Sequence, residues 1–207
     1  MAMNIKSVIF DWSGTISDDV ELVSATACKV SKVLGGREFT LEEFKEQFEL
    51  PYINFYKKMG VSASRNEIDK LYKKFYDEVG IKPKIFPDVK ETIEWLQKKG
   101  LKLGVLSTVL EEFVIREAKG YEIFNYFYVI KGSVMDKREG IDEVIKRVGV
   151  PASQILYVGD MDHDIIVSRE IGTHCAVVTT GYQSEEKLLS YNPEFIFEKF
   201  SGIKTLF

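Results

Sequence analysis

Val8-Ile9-Phe10-Asp11-Trp12-Ser13-Gly14-Thr15 is the stretch that decides the fold. Three apolar residues run straight into a carboxylate, then a small hydroxyl residue, a glycine and a threonine two positions further on. Ile5 to Phe10 has the β-branched and aromatic content of a short buried strand, bounded by turn residues. Asp11 then stands at the strand's carboxyl end, where parallel α/β sheets bind their ligands. Gly14 allows a tight turn and close approach to an anion. Alone, the segment also suits an ordinary turn, because Asp and Gly often end a strand. The ends of the later strands discriminate between the two.

Beyond Thr15 the period changes. Residues 17–83 read as helices without a strong strand. Asp18 or Asp19 can cap a helix whose apolar face is Val23, Ala27, Val30 and Leu34. Thr40 with Glu43, and Ser64 with Glu67, form two capping boxes, and Pro51 can open a short helix between them. The many aromatic residues here, among them Phe44, Phe48, Phe55 and Tyr56, either fill the core of a small helical unit or line a substrate pocket. After Pro83 and Pro87, strand and helix alternate to the end of the chain. That alternation predicts an α/β fold: a Rossmann-like parallel sheet covered on both faces, formed by residues 1–16 and 84–207, with an inserted α-helical cap over 17–83.

Three later segments carry polar groups at strand ends. Gly104-Val105-Leu106-Ser107-Thr108 is a buried strand running into hydroxyl residues. Lys131 and Lys137 lie between the next strand and its helix. Ile155-Leu156-Tyr157-Val158-Gly159-Asp160-Met161-Asp162-His163-Asp164 takes an apolar strand into three carboxylates within five residues. Such carboxylates repel one another unless a cation or solvent separates them. If its strand lies near the first, Asp160 comes beside Asp11, and hard oxygen ligands of this kind suit Mg²⁺. His163 reads as an exposed loop histidine, and with only His174 besides it a zinc site is not expected.

Composition narrows the classes. A net charge of −4 with interspersed Lys and Glu gives no basic face for nucleic acid. No apolar run reaches membrane-spanning length, and the N-terminus lacks the parts of a signal peptide. Two distant cysteines, Cys28 and Cys175, suit reduced thiols, so a cytoplasmic protein is expected.

Together and in this order, the four segments resemble the haloacid dehalogenase superfamily, over nearly the whole chain and including the helical insertion. The resemblance implies a phosphatase that forms an aspartyl-phosphate on Asp11. Ser107, with Thr108 assisting, and Lys137 would hold the phosphoryl group together with backbone amides near Trp12 and Ser13; Lys131 is the reserve for Lys137. Asp11, the Ser13 carbonyl, Asp160 and Asp164 would hold Mg²⁺. The expected substrate is a small phosphorylated metabolite, and the expected state a monomer or homodimer.

Ser13 departs from the family pattern. The phosphatases carry a second Asp there as general acid and base, so Ser13 predicts slow turnover of alkyl phosphates. The first motif is also similar to the Asp-Trp-Ala-Gly-Thr of phosphonoacetaldehyde hydrolases, which use a cap lysine as a Schiff base. Lys57 and Lys58 follow Pro51, but the expected register falls on Tyr56. A non-catalytic phosphate-binding protein on the same scaffold is the third reading.

Overall fold

The structure, a computed structural model, describes residues 3–207; residues 1 and 2 of the expected core lie outside the described residues. The chain divides into two compact units, one made of residues 1–18 and 84–207 and the other of 19–83.

The first unit is built on a six-stranded, wholly parallel sheet. Its strands are β1 (Ser7–Phe10), β4 (Lys102–Leu106), β5 (Phe127–Lys131), β6 (Ile155–Gly159), β7 (His174–Val178) and β8 (Phe195–Phe197), in the order β5-β4-β1-β6-β7-β8. β1 therefore lies between β4 and β6, where the order reverses. In open α/β sheets this reversal leaves the crevice that binds ligands. Phe10 is in register with Val105 and Val158. Asp11, Ser107 and Asp160 consequently leave the sheet at nearly the same level.

Helices α5 (Val89–Lys98), α6 (Glu111–Gly120), α7 (Ile141–Val148), α8 (Asp162–Ile171) and α9 (Glu185–Ser190) connect the strands. α7 shows why the sequence pattern works. Ile141, Val144 and Val148 recur at spacings of three and four, and all three are buried. They pack in one cluster with Ile9, Leu106, Val129 and Tyr157 of the sheet. Gly149 ends the helix in the left-handed conformation. A two-residue ladder, β2 (Ser17–Asp18) against β3 (Lys84–Ile85), pairs the chain where it leaves and rejoins this unit. No alternating pattern marks so short a pair in the sequence.

The second unit consists of α1 (Val20–Val33), α2 (Leu41–Gln47), α3 (Tyr52–Lys58) and α4 (Arg65–Tyr76). Both expected capping boxes form, Thr40 with Glu43 and Ser64 with Glu67. Pro51 occupies the N-cap of α3, one position before the expected one. Phe44 and Phe55 are fully buried, and the rings of Phe39, Phe44, Phe48 and Phe55 meet at centroid separations of 4.8–5.9 Å. These four aromatic residues thus form the core of the helical unit. Cys28 and Cys175 are both free. Among the described residues no helix is long and apolar enough to cross a membrane.

Truncating Ile141 to alanine leaves a void in the α7–sheet cluster and should cost about 2–5 kcal/mol of unfolding free energy. Urea denaturation measures it; a loss below about 1 kcal/mol would mean the cluster closes over the gap.

Candidate active site

The loop after β1 is wound around one carbonyl. The amides of Thr15, Ile16 and Ser17 all donate to the Trp12 oxygen, at 3.3, 2.8 and 2.9 Å, and Gly14 turns the chain at φ +75°. Trp12 is fully buried, with its indole Nε1 donating to Glu117 Oε2 at 2.7 Å and its ring stacked on Tyr121. Its side chain therefore faces α6, and its amide donates to Asp11 Oδ1 at 2.7 Å. Glu117 and its bond to Trp12 had no signal in the sequence beyond a carboxylate on an otherwise apolar helix face.

Asp11 is 5% exposed. Its Oδ2 lies 2.8 Å from Lys137 Nζ, which also contacts Asp164 Oδ1. Lys137 is fully buried in a 3-10 turn that Asp136 caps. The other lysine of this connection, Lys131, instead pairs with Glu143 at 2.7 Å. Asp164 accepts the amides of Asp160 and Met161 with Oδ2. Asp160 accepts from Thr15 Oγ1 at 3.0 Å and from the Tyr182 amide at 2.8 Å. Ser107 is buried at the end of β4, its Oγ accepting from the Val109 amide, while Thr108 is partly exposed. Ser13 Oγ is 2.6 Å from the Tyr182 hydroxyl.

His163 is not in an exposed loop. α8 begins at Asp162, and this turns the imidazole inward. It is 5% exposed, and its Nε2 accepts from the Lys137 amide at 3.4 Å. Burial, with Lys137 nearby, lowers its pKa below the usual histidine value, against the pull of Asp164 and Asp136.

One carboxylate oxygen from each of Asp11, Asp160 and Asp164 lies within 4.8 Å of the others. Three carboxylates against one ammonium leave two negative charges in a buried place. The pKa shifts of the groups follow from this burial and crowding. Burial pushes Asp11 up to about 6 against the pull of Lys137. Burial, then Asp11 and Asp164, push Asp160 well above its usual range. Burial works to lower Lys137, but Asp11 and Asp164 hold it well above the ordinary lysine value. An all-oxygen donor set with unbalanced negative charge fits a hard divalent cation such as Mg²⁺.

Residues 8–178 match the family model described as haloacid dehalogenase-like hydrolase. The chain belongs to this family. It is 24% identical to a phosphoglycolate phosphatase of Pseudomonas fluorescens, over 96% of this chain and 78% of the relative. It is 26% identical to the pyrophosphatase PpaX of Bacillus velezensis, over 96% and 94%. In fold it is similar to CbbY from Rhodobacter sphaeroides, solved in complex with phosphate, with TM-score 0.78 and 17% identity over 96% of each chain.

The charge imbalance has a measurable sign. Asp11 binds its proton more tightly folded than unfolded, so metal-free protein loses stability as pH rises from about 4 through 6. Asp11→Asn removes that loss. Without metal at pH 7.5 the variant should melt several degrees above the parent, and the gap should close near pH 4. A lower melting temperature for the variant at pH 7.5 would contradict the assignment.

Proposed function

We propose that this chain is a Mg²⁺-dependent phosphatase of small phosphorylated metabolites, working through an aspartyl-phosphate on Asp11. The observation that carries this reading is the Asp11 carboxylate itself. It stands at the sheet's switch point, held by a buried lysine and flanked by Asp160 and Asp164.

Asp11 attacks phosphorus, a P–O bond forms to its carboxylate, and the bond to the leaving oxygen breaks with its electron pair going to that oxygen. Water then attacks phosphorus, releasing phosphate and restoring Asp11. Lys137 and Ser107, with Thr108 and the backbone amides near Trp12 and Ser13, hold the phosphoryl oxygens. Asp11, Asp160, the Ser13 carbonyl and Asp164 are the groups that would hold Mg²⁺, which supplies charge neutralisation between nucleophile and phosphate. Asp164 also aims Lys137, which its Oδ1 contacts, and adds negative charge. In this reading the helical insertion, residues 17–83, is a cap, and the part of a cap is to exclude water from the reaction. The protein works in the cytoplasm, as a monomer or homodimer.

Ser13 shapes the substrate range. A carboxyl group there would protonate the leaving oxygen and activate water, a contribution on the order of 10²–10⁴-fold. Serine does not ionise usefully near neutral pH. Substrates whose leaving groups depart without a proton, such as aryl and acyl phosphates, are therefore favoured over alkyl phosphates. Schiff-base P–C cleavage finds no support in the lysines it would need. Lys57 and Lys58 are exposed, and Lys58 pairs with Glu49 at 2.8 Å, whereas such an amine is activated by desolvation in an apolar pocket.

Asp11→Asn should abolish Mg²⁺-dependent turnover, and activity within about tenfold of the parent would remove Asp11 from the reaction. In the parent, kcat on p-nitrophenyl phosphate should exceed that on an alkyl phosphate by about 10²-fold or more, and Ser13→Asp should narrow the gap. Equal ratios in parent and variant would mean that another group supplies the proton.

A further inference from the structure

β7 ends at Val178, and the chain then runs against both carboxylate loops. Thr180 Oγ1 donates to the Gly14 carbonyl at 2.9 Å. The Tyr182 amide donates to Asp160 Oδ2 at 2.8 Å, and the Tyr182 hydroxyl meets Ser13 Oγ at 2.6 Å. Gln183 brackets Asp162, accepting its amide and donating to its Oδ1. A Cβ on Gly181 would fall 1.9 Å from Asp160 Oδ2, so only glycine lets the backbone approach this closely. The residues from Thr180 to Gln183 lie beyond the span 8–178 that matches the family model, and outside all four motif segments.

We propose that Thr180–Gly181–Tyr182 is a positioning element of the active site: Tyr182 holds the Ser13 hydroxyl, and the backbone from Gly181 into Tyr182 holds Asp160. The proposal rests on the functional reading above. Tyr182 is 5% exposed, and a buried phenol needs a hydrogen-bond partner. Its partner is the residue two positions after Asp11, whose carbonyl is assigned to the metal. One tyrosine thus restrains groups from the first and fourth motifs together, by its side chain and its amide. Because it acts through Ser13 and Asp160, it is a positioning residue. If its ring only filled space, phenylalanine would serve equally well.

The experiment has a kinetic and a calorimetric arm. Tyr182→Phe keeps the ring and the amide but removes the Ser13 contact. With p-nitrophenyl phosphate and Mg²⁺ it should lower kcat about tenfold with KM held within about twofold. Ser13→Ala should give the same loss, and the double variant should be no worse than the poorer single one. Parental kcat in Tyr182→Phe, or losses that multiply in the double variant, overturns the proposal.

In the second arm, calorimetric titration of metal-free protein with Mg²⁺ should show affinity weakened about tenfold or more in Gly181→Ala. Thr180→Val, a gentler change that removes the bond to Gly14, should weaken it about threefold and reads the same arm if the alanine variant does not fold. Parental Mg²⁺ affinity in Gly181→Ala, or in Thr180→Val where it stands in, overturns the proposal alone. A parent that binds Mg²⁺ but hydrolyses no phosphate ester overturns the functional reading instead, and the calorimetric arm then decides the positioning claim.

Discussion

Lys137 Nζ, fully buried between Asp11 and Asp164, is the contact on which the rest of the site depends. Neither an ammonium nor a carboxylate enters a protein interior cheaply unless it is paired. The pairing here is incomplete, because Asp160 brings a third carboxylate. Surrounding elements are arranged to hold this unfavourable group of charges. Asp136 caps the turn that delivers the lysine, His163 accepts its amide, and Asp164 bonds two backbone amides while it faces it. Gly159 belongs to the same arrangement, since a Cβ there would fall 2.2 Å from Asp164. Such strain at a ligand site is common where binding, rather than folding, resolves it.

Topology explains why residues so distant in sequence meet. A parallel sheet ordered β5-β4-β1-β6-β7-β8 sets β1 between β4 and β6, and the register leaves Asp11, Ser107 and Asp160 at one edge. The loop from Asp11 to Ser17, closed on the Trp12 carbonyl, is then packed from two sides. Glu117 and Tyr121 take the indole, and Thr180 and Tyr182 take Gly14 and Ser13. The family's first motif is therefore supported by residues that no motif contains.

Much of this was legible in the chain. The strands announced themselves by runs such as Val8-Ile9-Phe10 and Ile155-Leu156-Tyr157-Val158, because a strand buried on both faces needs apolar residues at every position. The helices of the second unit were marked by capping residues whose hydrogen bonds are local. Asp11 and Asp160 directly follow strand ends, which aim them at the crevice, whereas Lys137 and Asp164 stand further on and are implied only by the family resemblance. Tyr182, Glu117 and the inward turn of His163 escaped for one physical reason. Their partners are 169, 105 and 26 residues away, and such contacts leave no periodic trace. His163 was also misplaced by local polarity, since Asp-His-Asp reads as a loop until the helix start is known.

The central claim is that Asp11 accepts the phosphoryl group. Acid quench of the parent protein within milliseconds of mixing with p-nitrophenyl phosphate and Mg²⁺, followed by intact-mass and peptide mass spectrometry, tests it most directly. The account predicts one phosphoryl adduct, carried by the peptide that contains Asp11, labile to hydroxylamine as acyl phosphates are, and absent without Mg²⁺. A phosphoryl group found on a serine, or turnover with no adduct at any quench time, would contradict it.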